Sequence, residues 1–371
     1  MRLLDRYFFR ELLTPLAYCL IGIESFIIFV TAISDTGKIS DAKLHFWQTI
    51  EYSAAASMEL VPYILPLCLL LALLMAITQH TRHNEITAMR AAGISLWRIC
   101  LPYFITGIIA SAALFVLNES IVPRSVDFAN NLLTRNAGAA KAADHAPLNF
   151  NNQSAHRMWF IHDYYPSSGV INGLKIVWTL PDGTSRILDA DYAQHTNGVW
   201  NFFNAQEYMT ESNSVYYVPV IVGKTNTIAM PEFDETPQGI ANEMSIGNYL
   251  AVGQMRSLDI PIQEIIDYLN GHPNLSRADK GRLLTELQER LAKPFTCIVV
   301  VLIAIPFGAA PGRRNLFFGV AGSIFICFAF FVLSRLCEAF GANGSWPAWV
   351  AAWVPNIVFA LLGIILTARI R

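Results

Sequence analysis

Few residues in this chain have the type and spacing for chemistry, and most of those fail on inspection. Gly223-Lys224-Thr225, in VIVGKTN, has the ending of a phosphate-binding loop, where backbone N–H groups wrap an anion. The glycine that must open such a loop falls at Val218, so the cradle is incomplete. The eight histidines show no H-E-x-x-H or comparable metal spacing, and no G-x-S-x-G marks a nucleophilic serine. Six cysteines, at 19, 68, 100, 297, 327 and 337, sit in or beside apolar runs and read as small packing residues. None falls in the polar middle of the chain, so no disulfide framework is expected there. No catalytic residue, metal site or cofactor site emerges. What remains are ionisable side chains in unusual places. Glu24 interrupts an apolar run, Lys38 and Lys43 follow it in DTGKISDAK, and Glu85 opens a polar stretch, TRHNEITAMRAAGISLW.

The elements that hold these residues belong to a membrane. The composition is 54% hydrophobic and 15% charged, with a mean hydropathy of +0.39, high for a soluble chain and low for one wholly in lipid. A net charge of −2 without a basic patch argues against nucleic acid as a partner. Six runs, near 12–33, 57–79, 99–118, 294–311, 316–336 and 347–367, approach the roughly 20 apolar residues that cross a bilayer. No cleavage-site pattern follows the opening residues, so the first run reads as a retained span. Arg2, Arg6, Arg10, Arg82, Arg90, Arg98, Arg313, Arg314, Arg369 and Arg371 gather on one side, against Lys38, Lys43 and Arg335 on the other. The positive-inside rule then puts both termini in the cytoplasm. Glu24, costly in mid-span, either faces a lipid cavity or gate or makes a structural hydrogen bond to a neighbouring helix. Arg335 pairs more simply with Glu338, three residues on, than with Glu24.

Residues 121–292 interrupt the spans, outside the cytoplasm. HRMWFIHDYY, VINGLKIVWTL, SRILDADYAQH, GVWNFFNAQEYM and SVYYVPVIVGK read as strands of a mainly antiparallel β-domain. Glycine-containing turns are expected at 181–183 and 196–198, and an alanine-rich loop at 136–147. Ile176 and Trp178 fall on one face, expected to be an open apolar groove. The pattern turns helical from about Ser245, with Ser276 as a cap. The division expected is 1–120, 121–292 and 293–371. Within the first part, Asn84 is a candidate N-cap and Gly93 a candidate C′ residue of a short helix over 84–93. So short a helix is marginal in water alone, which points to a partner that stabilises it.

LLDRYFFREL, ILPLCLLLALLMAITQHTRHNEITAMRAAGISLWRI (64–99), LNESIVPRS (117–125), ERLAKPFTCIVVVLIAIPFGAAPGRRN (289–315) and WVAAWVPNIVFALLGIILTAR (349–369) together resemble the LptF/LptG permease family of lipopolysaccharide exporters. The resemblance implies an α-helical inner-membrane protein with six transmembrane helices and a periplasmic β-jelly-roll-like domain between helices 3 and 4. It also implies a paralogous LptF/LptG partner, a cytosolic LptB-type ATPase dimer that binds the ATP, and a bridge of LptC and LptA that receives lipopolysaccharide. Drawing a multi-chain lipid into water exposes dozens of methylenes at about 0.8 kcal/mol each, so a subunit without a nucleotide site needs a borrowed motor. The family carries an ATPase-contacting glutamate at the position of Glu85, with Ala88, Met89, Ala92 and Gly93 around it in the coupling helix. It places phosphate-binding basic residues near the outer end of the first span, where Lys38 and Lys43 stand. Against these stand plainer readings: a first-turn helix stabiliser for Glu85, solvated loop lysines for the other two, and a non-transporting scaffold for the whole chain.

Overall fold

The structure, a computed structural model, describes residues 3–137, 148–152, 156–165, 169–180, 184–196, 198–210, 220–252, 261–272, 275–308 and 316–369. The expected features at 138–147, 181–183, 197 and Arg313–Arg314 lie outside them. The chain divides into two compact units. The first takes residues up to Ser40, Leu44–Asn130 and everything from Ser276 on; the second takes Asp41–Lys43 and Asn131–Leu275.

The first unit is helical: α1 (Leu3–Ser34), α2 (Thr36–Asp41) as far as Ser40, α3 (Phe46–Ser57), α4 (Val61–Arg82), α5 (Glu85–Ala91), α6 (Leu96–Val116) and α7 (Val122–Ala137) as far as Asn130, then, beyond the insert, α10 (Arg277–Ala292), α11 (Thr296–Gly308), α12 (Leu316–Ala342) and α13 (Ala348–Ala368). Among the described residues, six stretches are long and apolar enough to cross a membrane: Leu4–Ser34, Phe46–Arg82, Leu96–Leu133, Arg277–Gly308, Ile324–Ala342 and Ala348–Ala368. The second, third and fourth outrun their apolar cores because 3₁₀ or π turns at Met58–Leu60, Leu117–Ile121 and Lys293–Phe295 join amphipathic helices to them without a break. A hydropathy reading stops at the last apolar residue, so it places α10 with the insert; the structure groups it with the spans.

Lipid offers helices no hydrophobic drive to associate, so close backbone approach and a few polar contacts do the work. A Cβ on Gly308 would lie 2.7 Å from the Ile77 side chain, and one on Gly363 would lie 2.9 Å from the Leu302 backbone. The Thr81 hydroxyl donates across α4 and α11 to the Gly308 carbonyl at 2.9 Å, and buried Asn356 donates to the Ala292 carbonyl at 2.9 Å. The core draws on Phe8, Leu12 and Leu16 of α1 and on the apolar faces of α4, α6 and α11. The C-terminal half of α1 is largely bare, with Ile21, Phe26 and Phe29 all exposed.

Among the described residues, the second unit has six strands: β1 (Leu148–Asn152), β2 (Arg157–Tyr165), β3 (Val170–Thr179), β4 (Ser185–Thr196), β5 (Val199–Thr210) and β6 (Val220–Met230). They form one antiparallel sheet in chain order, a meander, followed by α8 (Pro237–Val252) and α9 (Ile262–Gly271). Strand β6 takes in the VIVGK end of SVYYVPVIVGK, whose earlier residues, 214–219, lie outside those described; β1 is an addition, and the helical pattern begins at Pro237 and not Ser245. Inward residues alternate as the pleat requires, but every strand from β2 to β5 slips by one residue along a shared line. Inward positions run Trp159, Ile161, Tyr164 on β2; Ile171, Leu174, Ile176 on β3; Leu188, Ala190, Ala193 on β4; and Trp200, Phe202, Ala205 on β5. The line passes through His162, Gly173, Asp191 and Asn204, and the pairing register is the same on both sides of it. Gly173 (φ +61°) and Asn204 (φ 52°) turn left-handed there, and the Asn204 amide donates to Asp191 at 2.9 Å.

The expected open groove is closed. Ile176 and Trp178 do share the inner face, but both are buried there. The chain after β6 folds back over the sheet, and Phe233 packs edge-on against Trp159, Trp178 and Phe202 at 5.6–5.7 Å. Arg157 lies 4.6 Å from the Phe233 ring centroid and pairs with buried Glu235 at 2.8 Å. The Trp200 indole donates to the Glu235 carbonyl at 2.6 Å. A sequence pattern fixes which residues face inward but is silent on what covers them.

Candidate functional site

Helix α5 lies between the second and third spans and ends in a well-formed cap. Gly93 takes φ +85°, its N–H reaches the Arg90 carbonyl at 3.0 Å, and the Ile94 N–H reaches Met89 at 3.1 Å. This is the 5→2 and 6→1 pair of a Schellman ending. The N-terminal expectation fails: Asn84 is left-handed (φ 60°) and its side chain caps nothing. Tightness of the turn from α4 forces that conformation, and asparagine tolerates it. Ile86 is buried and Met89 packs against the same core, so Met89 anchors the helix and does not present outward. Thr87, Ala88, Ala91, Ala92 and Gly93 are exposed. The helix thus offers a face of small residues that a partner's backbone can approach closely.

Glu85 does more than favour the helix dipole. One carboxylate oxygen takes the Nδ1 of His80 at 2.8 Å, and the other accepts from the Tyr7 hydroxyl at 3.3 Å. The carboxylate side chain keeps 34% of its surface open, while His80 is 1% exposed. The Phe8 ring meets the imidazole edge-on at 4.6 Å, and the Tyr7 ring centroid lies 5.6 Å away. Nε2 of His80 is buried with no hydrogen-bond partner. With Nδ1 carrying the hydrogen, the ring donates to Glu85 and leaves only a weak acceptor, Nε2, without a partner. Beside this cluster Arg98, at the start of α6, makes two parallel bonds to Asp5 of α1 at 3.0 and 3.1 Å. The first turns of α1 are thus joined to α4 and α5 by the cluster and to α6 by Arg98.

Lys38, Lys43 and Glu24 are arranged otherwise. Lys38 is 63% exposed and bonded at 2.8 Å to Asp35, which also accepts from Tyr52 at 2.8 Å. Lys43, counted with the second unit, sits in a left-handed turn at φ 50°. Glu24 accepts at 2.7 Å from Ser57, a fully buried hydroxyl where α3 meets its 3₁₀ turn. The hydrogen bond to a neighbouring helix is therefore present. Arg335 bonds Glu338 at 2.8 Å.

The profile of the family described as "Lipopolysaccharide export system permease LptF/LptG" matches residues 6–369, nearly the whole chain. The chain belongs to the LptF/LptG family. Among curated proteins no match was found. As a family member the chain is a permease subunit and a multi-pass inner-membrane protein.

One polar cluster of this LptF/LptG permease escaped the reading of its sequence. Glu286, Glu289 and Arg290 of α10 are all buried, and Lys293 lies 3.4 Å from Glu289 and 4.0 Å from Glu286. Arg335 also bonds the Tyr63 hydroxyl at 3.1 Å, and the Lys293 and Arg335 cations lie 5.8 and 5.3 Å from the Tyr63 ring centroid. These contacts tie α4, α10 and α12 together. The signal was available: Glu286, Glu289, Arg290 and Lys293 follow i, i+3, i+4, i+7 spacing, one face of a helix.

Proposed function

We propose that this chain is the transmembrane subunit of an ATP-driven exporter that extracts lipopolysaccharide from the inner membrane and passes it to a periplasmic bridge of LptC and LptA. A second LptF/LptG permease pairs with it, both termini lie in the cytoplasm, and the sheet unit lies in the periplasm. Helix α5 docks on an LptB-type ATPase dimer, which binds the ATP. The observation that carries this reading is the two-sidedness of α5: Ile86 and Met89 hold it to the spans while Ala88, Ala92 and Gly93 face out beside the open edge of Glu85. Lys38 and Lys43 serve the lipid path at the outer end of the first span, with Lys38 exchanging its Asp35 partner for a phosphate, and Glu24 serves it in mid-span. The test is the purified complex. The ATPase co-purifies and lipopolysaccharide stimulates its hydrolysis; a chain isolated alone, with hydrolysis unmoved by the lipid, refutes the reading. The closed inner face of the sheet favours one alternative, a membrane scaffold that positions a periplasmic domain. Photo-crosslinkers at Ile176 and Trp178 that capture no lipid during turnover support that alternative.

A further inference from the structure

We propose that Tyr7 and His80 are positioning residues that make α1 and α4 follow the movement of α5, through Glu85. The inference rests on the exporter reading and goes beyond it by naming the route inward. A docked partner touches only the exposed edge of the Glu85 carboxylate. The other sites of that carboxylate are taken by donors from two different spans, Tyr7 of α1 and His80 of α4. A carboxylate has about four acceptor sites, so it can hold both donors and still receive a cation. Hydrogen bonds are directional, and apolar contacts between α5 and the spans are not. Moving Glu85 therefore draws two named donors with it.

A buried histidine is more often a packed core residue than a working one. Here the packing explanation is weak, because the ring lies 1% exposed among Phe8 and Tyr7 with Nε2 unpartnered. A leucine would fill that space without stranding a polar atom. What only the imidazole supplies is the Nδ1 donor at 2.8 Å from Glu85.

Three variants in the reconstituted complex separate the roles. Tyr7→Phe removes one hydroxyl, His80→Leu keeps volume without a donor, and His80→Asn keeps an N–H at the place of Nδ1. The readout is lipopolysaccharide released per ATP hydrolysed, with co-purification of the ATPase measured beside it. His80→Leu is expected to lower that ratio about tenfold, the worth of one hydrogen bond to a charged group, and Tyr7→Phe to lower it by less. His80→Asn is expected to restore most of it. Wild-type ratios in both His80→Leu and Tyr7→Phe overturn the proposal, as does an equal loss in His80→Leu and His80→Asn, which makes the site one of packing. The exporter reading fails separately, when the wild-type chain neither binds the ATPase nor releases lipid.

Discussion

Glu85→Ala can be examined on the permease alone, before any ATPase is added. A surface residue on a short helix ordinarily costs no more than about 0.5 kcal/mol when truncated. The structure argues for more. The His80 donor, 2.8 Å from the carboxylate and 1% exposed, would be left buried without an acceptor. A charge-assisted bond lost from a buried donor costs about 1.5–3 kcal/mol, and the longer, more exposed Tyr7 bond adds only about 0.5 kcal/mol. Local opening of α5 should therefore rise roughly 30- to 300-fold, read as faster hydrogen exchange of the Ile86–Ala92 amides in detergent or nanodiscs. Glu85→Gln keeps an oxygen for His80 and gives up only the charge, so its exchange should quicken by about fivefold. Glu85→Lys places a cation against both donors and should be the worst of the three. Unchanged exchange in Glu85→Ala would refute the reasoning, because it would mean that the two bonds do not hold α5 to the spans.

Other outcomes follow from other parts of the molecule. Cysteines at Asn172 and at Thr87 should label with an impermeant thiol reagent from opposite sides of intact cells, Asn172 from outside, and the reverse pattern would invert the orientation. Phe233→Ala should lower thermal stability of the sheet unit by about 3–5 kcal/mol, seen as loss of strand protection, since it empties a site ringed by Trp159, Trp178 and Phe202. Glu243 of α8, 2.9 Å from His272, is pushed from 4.5 up to about 7 by burial and then by the charge of Glu235. The folded state thus holds this proton more tightly than the unfolded one. Its contribution is full below about pH 4.5 and is lost as pH rises to about 7, at most roughly 3 kcal/mol. Exchange of the α8 amides should quicken over that window, and Glu243→Gln should flatten the response.

The six apolar stretches were legible because lipid imposes length and composition on a span directly, and the sheet's inner face was legible because the pleat alternates. Glu85 stood out for its place between two spans. Its partners did not, since Tyr7 lies 78 residues away and His80, though close in sequence, reads as the end of a span. The Asn84 expectation failed because capping statistics assume an extended entry, and here the chain leaves α4 through a left-handed residue. Strand β6 was legible only at its start, because the ladder to β5 runs on from Val220 through the polar Lys224, Thr225 and Thr227 to Met230, where composition no longer marks a strand. The buried charges of α10 were hidden by the habit of assigning charge to water. Only the neighbouring helices reveal that Glu286 and Arg290 face inward.

The slip at His162, Gly173, Asp191 and Asn204 has a consequence for how such a sheet can change over time. Each strand carries its extra residue opposite the others, which is why pairing stays in step on both sides. Deleting Gly173 alone would keep one half of β3 in place and turn Leu174, Ile176 and Trp178 outward, because a one-residue shift exchanges the two faces of a strand. A deletion in β2, β4 or β5 would do the same to its own strand. The four positions should therefore change together if they change at all, and single-residue changes of length in this domain should be borne best in the turns.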